Sequence, residues 1–408
     1  FKEGEINGFT PLSGELDLQI QNSNITVNRL IVDEAQGEFF VTGAYIPGSQ
    51  LQISAKMREF PIAPLIGLTG REDLPREGRV DLQLELETTA EGMKGEFDAL
   101  LKDTSWGGIK LSSLGLAGQL HDDLVLLAVE DLGANRLSIQ GTLPLNQEWF
   151  GTFQLPTSWP HRNSQIDLGI SAEKVEASAL NALFSEPLIS AGTIDGLISL
   201  NGNWKAPYLV GSLTIVGGKG KISSLPEEFR DVNGELHFSN KGLKIRGLKN
   251  KDDGYVEGRL GSGRFRLGGS IISNGLELKE FNLNLKGDNL HLAQPFLDGL
   301  VSGELALTGS VAQPVLRGQA VLKKARVGVP EATGGSLPFD LKMDLNLQAA
   351  NDVYFRMYGM AYIPFTGRMH VGGSLSKPEL TGEFNSSRGW VNFMGDTFRI
   401  KHLKAEFR

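Results

Sequence analysis

The sequence predicts an all-β protein: a long curled antiparallel sheet built from repeats, with a few short helices. Three observations predict this fold: apolar residues alternate with polar ones, turn signals recur about every ten residues, and one proline motif occurs three times. The chain has 408 residues, of which 51 are glycine and 17 are proline. Glycine is therefore well above its average share of about 7%, and the absence of a G-X-Y period excludes collagen.

Strict alternation is the main signal for strands. It is clearest in residues 16–20, 80–86, 283–285, 305–307 and 341–347, where Leu, Ile, Val or Met alternates with polar side chains. A period of two places the apolar side chains on one face of a strand and the polar ones on the other. Asn-Gly, Ser-Asn and Lys-Gly pairs between these runs favour tight turns, as in an antiparallel sheet.

Three short segments interrupt the alternation and are predicted as short helices: 60–68, 172–184 and 288–300. Each has helix-like apolar spacing and precedes a strand that begins with glycine. Together they indicate a repeat of about 110 residues. We therefore expect three β-groove regions, 1–185, 186–300 and 301–408, that form one continuous elongated groove.

A sharper repeat has the pattern G-x-x-x-x-P-x-L-x-G and occurs at 202–211, 309–318 and 373–382. Proline forces the preceding residue to be extended and cannot donate to a ladder, so it belongs in a connection or at the start of a strand. Three copies indicate one supersecondary unit that is used repeatedly.

The predicted sheet needs something to cover its apolar face, because a wide, flat and one-sided sheet would aggregate. Either the sheet closes on a dry core, as in a β-helix or sandwich, or it curls into an open groove filled by an apolar ligand. We favour the groove, because polar residues continue along the outer face with no second apolar stripe. The predicted lining residues are Leu213, Ile215, Leu236, Phe238, Leu283, Leu285, Leu305, Leu307, Leu345, Leu347, Phe355, Met369, Val371 and Phe384.

Composition excludes several classes of function. A net charge of −8 without a dense basic block argues against nucleic-acid binding. The absence of cysteine removes thiolate nucleophiles, cysteine-based zinc sites and disulfides. No apolar run approaches the ~20 residues of a membrane helix, and because the chain begins at Phe1 we expect an internal piece of a longer protein.

No nucleophile elbow, phosphate-binding loop or zinc-protease motif is present, so we predict no catalytic residue, no cofactor and no metal site. The six histidines have no ligand spacing and are expected to be solvated side chains of the polar face. The densest aromatic stretch, which contains Tyr354, Phe355, Tyr358, Tyr362 and Phe365, is expected to line or close the groove.

The C-terminal part resembles a known family. The resemblance rests on DVYFRMYGM at 352–360, FTGRMHVGGSLSKPELTGEF at 365–384 and RGWVNFMGDTFRI at 388–400. These elements belong to a stretch of about 55 residues that resembles the C-terminal domain of the TamB family, within the wider AsmA-like group of bridge-type lipid transfer proteins. The sequence departs from the family in YIPF at 362–365 and in HLKAEF at 402–407, which lacks the glycine usual before the last strand.

The resemblance implies a curled "β-taco" sheet with an apolar groove. It also implies a periplasmic segment that bridges the inner and outer membranes of a bacterial envelope and carries phospholipid from the inner to the outer membrane. The implied partners are phospholipids, an outer-membrane barrel of the BamA or TamA type, and the inner membrane, reached through an N-terminal anchor that this piece lacks.

Two other functions remain open. An exposed sheet edge could template outer-membrane strands by β-augmentation, which would make the protein an envelope assembly factor that works with a BamA-family barrel. A carbohydrate-active β-helix enzyme would need a pair of carboxylates in a cleft, and outward-facing Asp and Glu are too common in this sequence to exclude one.

Overall fold

The fold is known from a computed structural model. The structure describes residues 4–6, 9–34, 37–63, 65, 77–89, 92–106, 109–122, 124–131, 136–144, 165–178, 181, 188–203, 206–222, 225, 227–248, 254–294, 297–328, 341–374 and 376–407. Internal contacts divide the chain into two units, one formed by Phe1–Pro187 with Ile194–Gly211 and the other by Leu188–Thr193 with Ser212–Arg408. They are called unit 1 and unit 2 below.

Unit 1 is a meander in which each strand pairs antiparallel with the next. Its strands are β1 (Gly4–Ile6), β2 (Phe9–Gln21), β3 (Asn24–Glu34), β4 (Gly37–Ile46), β5 (Gln50–Pro61), β6 (Arg79–Thr89), β7 (Gly92–Trp106), β8 (Ile109–Asp122), β9 (Leu124–Asp131), β10 (Arg136–Pro144) and β11 (Gln165–Glu176). Two further strands, β12 (Ile189–Asn203) and β13 (Tyr208–Gly220), contribute residues to both units.

Unit 2 continues with thirteen strands in its described residues. They are β14 (Phe229–Ser239), β15 (Gly242–Arg246), β16 (Tyr255–Leu260), β17 (Gly263–Asn274), β18 (Glu277–Gln294), β19 (Leu297–Ser310), β20 (Val315–Val327), β21 (Lys342–Met357), β22 (Ala361–Gly373), β23 (Pro378–Ser386), β24 (Trp390–Phe393), β25 (Asp396–Arg399) and β26 (Leu403–Phe407).

Several positions in the unit 2 sheet are shared by two short strands placed end to end. β15 and β16 both pair with β14 on one side and β17 on the other. β23 and β24 both pair with β22, and β26 and β25 then pair with β23 and β24 respectively. The C-terminal end of the sheet is therefore split into two short antiparallel pairs.

One pairing in unit 2 differs from the prediction of a purely antiparallel sheet. β20 and β21 are parallel, with Val315 opposite Lys342 and Leu322 opposite Ala349. The fourteen residues between the two strands allow this: at about 3.3 Å per residue they can span about 46 Å, which exceeds the length of β20. The other pairs for which a register is described are antiparallel.

The three copies of the proline motif lie between consecutive strands, and the two copies of unit 2 connect the antiparallel pairs β19–β20 and β22–β23. In the two copies of unit 2, Gly309 and Gly373 have φ of 97° and 76°, and Gly318 and Gly382 have φ of 148° and 150°. A Cβ on Gly318 or Gly382 would lie 2.1 or 2.3 Å from a backbone oxygen of the neighbouring strand. The copy at 202–211 also has both of its glycines at positive φ. Glycine is therefore required at both ends of the motif.

These glycines and the many register shifts curl the sheet, because glycine kinks and β-bulges are the devices that bend β-sheets. The prediction of an all-β fold with a curled sheet is confirmed within each unit. No helix in the described ranges is long and apolar enough to cross a bilayer.

The predicted short helices are partly confirmed. Segment 60–68 begins inside β5, and its described residues 62, 63 and 65 are helical. Segment 172–184 begins as β11, paired with β10, and its described residues 177, 178 and 181 have 3₁₀-helical conformation. The prediction is wrong for segment 288–300, whose described residues belong to β18 and β19. Positions 64, 66–68, 179–180, 182–184 and 295–296 lie outside the described residues.

Segment 288–300 shows why the helical spacing misled. Leu290 and Leu292 also alternate, and a bulge next to them shifts the register between Gly287 and Leu290. Asn289 has φ of 51°, and its N–H donates to Ser302 Oγ at 2.9 Å. One inserted residue in a strand imitates a change of period.

Candidate functional site: an apolar sheet face

The strand register of unit 2 brings its alternating apolar residues onto a single face. Residues opposite one another on neighbouring strands point to the same side of a sheet. One row of opposite residues crosses seven strands and consists of Leu267, Leu285, Leu305, Gly318, Leu345, Val371 and Leu380. The next row consists of Phe265, Gly287, Gly303, Ala320, Leu347, Met369 and Gly382. We call this surface the apolar face of unit 2.

Most of the lining residues predicted from sequence lie on this face. The two rows contain six of them, and a third row holds Leu283 opposite Leu307. Leu236 reaches the third row through Ile245 and Gly269. Phe384 lies opposite Gly367 on β22.

Two of the remaining predicted residues lie at the borders of the face. Phe238 pairs with Leu243 on β15, and Phe355 pairs with Ile363 on β22, past a bulge in β21. Leu213 and Ile215 lie in unit 2 on β13, and no described register joins them to the face.

Partial burial is the property that these fourteen residues share. Each one is half-buried, neither sealed from solvent nor fully exposed. A second layer packed on this face would have buried them, because core side chains of layered proteins are sealed on all sides. The described part of unit 2 therefore keeps apolar area accessible along a face that crosses seven strands.

Small local clusters interrupt this open face. Ala325, Ala349 and Val353 are buried together, with Phe365 packed against them. The rings of Phe365 and Phe384 meet edge to face at a centroid distance of 4.8 Å, and the rings of Phe384 and Phe407 meet at 5.6 Å. An aromatic ridge thus lines the apolar face near the C-terminus.

The opposite face of unit 2 carries the polar side chains and is held by cross-strand ion pairs. Lys286 Nζ lies 2.5 Å from Glu304 Oε1, and Arg317 Nε lies 3.6 Å from Asp344 Oδ2. His370, predicted to point outward, lies on this face with Nδ1 3.3 Å from Asn346 Oδ1. A cleft of about 1,030 Å³ is lined mainly by polar residues of this face, such as Lys286 and Asn346, and also by Leu347 and Met369. The two faces of the sheet therefore differ sharply in polarity.

Unit 1 shows the same alternation but seals more of its apolar face. One row crosses nine strands through Val32, Phe39, Met57, Leu82, Ala99, Leu116, Val129, Ile139 and Ile170. Within it Met57 packs into a buried cluster with Phe60, Ile62 and Val80, and Met93 is fully buried in a second cluster. A dry core, the alternative to an open groove in the sequence analysis, is therefore present in part of unit 1.

A bulge in β5 of unit 1 is fixed by charged groups. Glu59 has φ of 47°, and its N–H donates to Asp81 Oδ1 at 2.7 Å. Lys102 Nζ bridges the Glu59 and Asp81 carboxylates and lies 2.7 Å from Asp81 Oδ2. Its ammonium group lowers the pKa of Asp81, and the two carboxylates raise the pKa of Lys102.

The sequence missed one histidine site. His291 was expected to be a solvated side chain, but Nε2 lies 3.0 Å from Asp298 Oδ1 and Nδ1 lies 3.1 Å from Glu227 Oε1. The pKa of His291 is raised, mainly by its hydrogen bond to Asp298 and secondly by its hydrogen bond to Glu227, because both carboxylates favour the imidazolium form. Glu227 is 64 residues away in sequence, so no local pattern indicated this contact.

The aromatic stretch divides between the two faces instead of lining the groove as a whole. Phe355 and Phe365 belong to the apolar face, whereas Tyr354 and Tyr362 lie on the opposite face with ring centroids 5.3 Å apart. The parity of the residue numbers, odd for the two phenylalanines and even for the tyrosines, is the signal that could have separated them.

Within the described ranges, no group of three or more His, Asp or Glu residues could hold a metal ion. The site that unit 2 does offer is a curled sheet with one accessible apolar face and one ion-paired polar face. These features define an all-β protein built on a curled sheet.

Residues 252–407, which include β16 to β26, match the TamB C-terminal domain. This match supports the resemblance to the TamB family that the C-terminal sequence indicated. The family is generally linked to assembly of the cell envelope and to lipid transport, and it implies a cell-envelope protein. Comparison with curated proteins and with solved structures gives no match.

Proposed function

We propose that the apolar face of unit 2 is a lipid-binding groove. It shields phospholipid acyl chains during transfer from the inner to the outer membrane of the envelope. The observation that carries this proposal is the half-buried state of all fourteen predicted lining residues. In the part of the chain that the structure describes, this face of Leu, Val, Met and Phe crosses seven strands without a covering layer, and such a face needs an apolar occupant.

The free energy of transfer from water gives the size of the effect. Each methylene group removed from water is worth about 0.8 kcal/mol, so an acyl chain of about 16 carbons would gain at most about 13 kcal/mol from full burial. A free lipid cannot cross an aqueous compartment quickly against such a cost. An apolar groove lowers the cost by keeping the chain covered along the way.

The composition of the face suits movement better than tight binding. Its rows mix Leu, Val and Met with glycines such as Gly303 and Gly318, so no single deep pocket would trap a chain. Similar binding at successive strands lets an acyl chain slide, while its polar headgroup remains in water. The process needs no catalytic residue or cofactor, and we propose that the protein is not an enzyme.

The family match supports the wider setting. We propose a periplasmic location, with the full protein anchored in the inner membrane through a segment outside this chain. We also propose that it works with a barrel of the BamA or TamA type in the outer membrane. Transfer between the two membranes would then follow the direction of the strand ladder.

Site-specific photo-crosslinking tests the groove. A photoreactive amino acid is placed in turn at positions 345, 347 and 369 on the apolar face, and at 346, 348 and 368 on the polar face. The chain is then incubated with radiolabelled phospholipid and illuminated. We expect lipid adducts at 345, 347 and 369 only. Equal labelling at neighbouring positions, or labelling of the polar face alone, would refute the proposal.

An assembly role is the second candidate, because the C-terminal end of the sheet has an available edge. In the part of the chain that the structure describes, β25 pairs only with β24 and β26 pairs only with β23. Such an edge can accept a strand from another protein. Successive N–H groups of a strand point to opposite edges, so Lys404→Pro and Ala405→Pro remove donors from opposite edges of β26. One of the two variants therefore removes a donor from the open edge. Loss of function in these variants with normal lipid labelling would favour assembly over transfer.

A further inference from the structure

Two neighbouring hairpin tips in unit 2 expose a group of large apolar side chains. The β21–β22 turn exposes Tyr358 and Met360 by 73% and 55%, and the β24–β25 hairpin exposes Phe393, Met394 and Phe398 by 61%, 90% and 57%. This is an unusual concentration of exposed aromatic and methionine side chains for a soluble surface. We call these five residues the apolar tip.

The backbone of the apolar tip already has hydrogen-bond partners. Asn392 N–H donates to Met360 O at 2.7 Å, and Asn392 Nδ2 donates to Gly359 O at 2.8 Å. Thr397 Oγ1 donates to Asn392 Oδ1 at 2.6 Å. The two hairpins are therefore tied together, and they can enter an apolar medium with fewer unsatisfied polar groups than an open strand edge.

A belt of aromatic and basic side chains lies directly behind the apolar tip. The register places Arg356 opposite Tyr362, Tyr362 opposite Trp390 and Trp390 opposite Arg399, so all four share the face away from the groove. Arg388 joins Tyr362, Trp390 and Arg399 in lining a cleft of about 630 Å³. Tyrosine and tryptophan next to a group of exposed apolar side chains are typical of proteins at membrane–water interfaces.

The charge of this region is opposite to that of the whole chain. Segments 354–362 and 388–401 carry four Lys and Arg residues and one acidic residue, Asp396, which gives a net charge of +3 in a chain of net charge −8. In the described residues none of Arg356, Arg388 and Arg399 forms an ion pair, although Arg356 lies over the Tyr358 ring at 4.6 Å. Unpaired guanidinium groups next to aromatic rings suit phosphate headgroups.

From these features we infer that the C-terminal end of unit 2 docks onto a bilayer surface that contains anionic phospholipid. The apolar tip enters the boundary between headgroups and acyl chains, Tyr362 and Trp390 lie at headgroup depth, and Arg388 and Arg399 contact phosphates. This inference goes beyond the proposed groove and does not depend on it.

Vesicle flotation tests the docking. The full 408-residue chain is mixed with phosphatidylcholine vesicles that contain or lack phosphatidylglycerol, and bound protein is measured across a lipid titration. We expect binding to the anionic vesicles, weakened by added salt. The double variant Arg388→Gln/Arg399→Gln should lose about fivefold in affinity for each arginine, about 25-fold together. Phe393→Ser/Met394→Ser should lose on the order of tenfold or more.

Matched variants show whether any loss of binding is specific to this surface. Arg246→Gln/Arg264→Gln removes the same charge from exposed positions elsewhere in unit 2 and should bind normally. Circular dichroism and thermal melting show whether each variant is folded. Equal losses in this control, equal binding to uncharged vesicles, or no loss in the two test variants would overturn the inference.

Two further arms separate this surface from a small-molecule site and from the groove. Inorganic phosphate and glycerol phosphate at millimolar concentration should not displace the vesicles; displacement would assign the arginines to a soluble phosphate ligand and overturn the inference. Leu347→Glu, placed inside the groove, should float with anionic vesicles like the unaltered chain. Loss of flotation in Leu347→Glu would mean that vesicles are held through the groove and not through the tip.

Discussion

Leu347→Glu is the change that most directly challenges the groove. Leu347 lies on the apolar face between Ala320 of β20 and Met369 of β22. The next residue, Gln348, points to the opposite face and is exposed. Gln348→Glu therefore adds the same charge to the same strand, one residue away, on the wet side of the sheet.

The expected effect follows from the cost of placing a charge among acyl chains. A carboxylate in an apolar, lipid-filled environment costs about 3 kcal/mol. A barrier of that size at one point of the groove lowers occupancy there, and the rate of passage, by roughly 100-fold. Gln348→Glu faces Arg368 across the ladder and should change transfer by less than about twofold, as exposed charge pairs contribute little.

Transfer is measured with a fluorescent phospholipid that moves from quenched donor vesicles to acceptor vesicles in the presence of the chain. Mass spectrometry of lipids that co-purify with each variant gives an independent measure of occupancy. Thermal melting shows whether the Leu347→Glu variant is folded. If it is not, Leu305→Asn on β19 tests the same face with a smaller perturbation.

Equal transfer and equal lipid content in Leu347→Glu and Gln348→Glu would refute the reasoning, because a lipid-bearing face must distinguish two neighbouring residues of one strand. Equal loss in both variants would refute it too, since the polar face should tolerate the charge. Only an asymmetry in favour of Gln348→Glu agrees with the groove.

The remaining predictions concern stability. Gly318→Val should destabilise unit 2 by about 2 kcal/mol or more, measured by urea unfolding, because φ is 148° and the new Cβ meets a backbone oxygen at 2.1 Å. The raised pKa of His291 adds stability that is complete below the unfolded-state pKa of about 6.5. That stability is lost as pH rises from there through the higher folded-state pKa, so His291→Gln should remove this decline in unfolding free energy. The lowered pKa of Asp81 adds stability that is present above about pH 3.9 and is lost as pH falls through the folded-state value, so Lys102→Met should raise the pH at which acid unfolding begins.

Controls are available for the first two of these measurements. Gly359→Ala is a matched glycine change at positive φ with no atom within 4 Å of the new Cβ, and it should cost only about 1 kcal/mol. His237→Gln, at a histidine on β14, should leave the pH dependence intact. Equal costs for the two glycine variants, or an unchanged pH profile in His291→Gln, would contradict these interpretations.

Alternation made the fold and most of the apolar face predictable from sequence. In runs such as 341–347 the alternation shows which residues share a face, because successive side chains of a strand point to opposite sides of the sheet. The three proline motifs likewise predicted connections, and each lies between consecutive strands with its terminal glycines at positive φ. Local chemistry was sufficient in these cases because the constraint itself is local.

Other features depend on contacts that local patterns do not encode. A bulge at Asn289 made a strand resemble a helix, and the bond between His291 and Glu227 joins residues far apart in sequence. The parallel pairing of β20 with β21 joins two strands whose own alternating patterns do not specify the direction of pairing. The ladder of Arg356, Tyr362, Trp390 and Arg399 becomes visible only once the register joins four separate strands.

The hairpin turns have a consequence for how such a chain could grow. Each motif lies within the two strands that it connects. The atoms that its last glycine approaches most closely belong to the backbone of the neighbouring strand. Duplication of one hairpin would lengthen a sheet by two strands, or about 10 Å at ~4.8 Å per strand, and would leave its cross-section unchanged. The distance such a protein reaches could thus be adjusted in steps by copying or deleting a module of some thirty residues, with no redesign of the parts on either side.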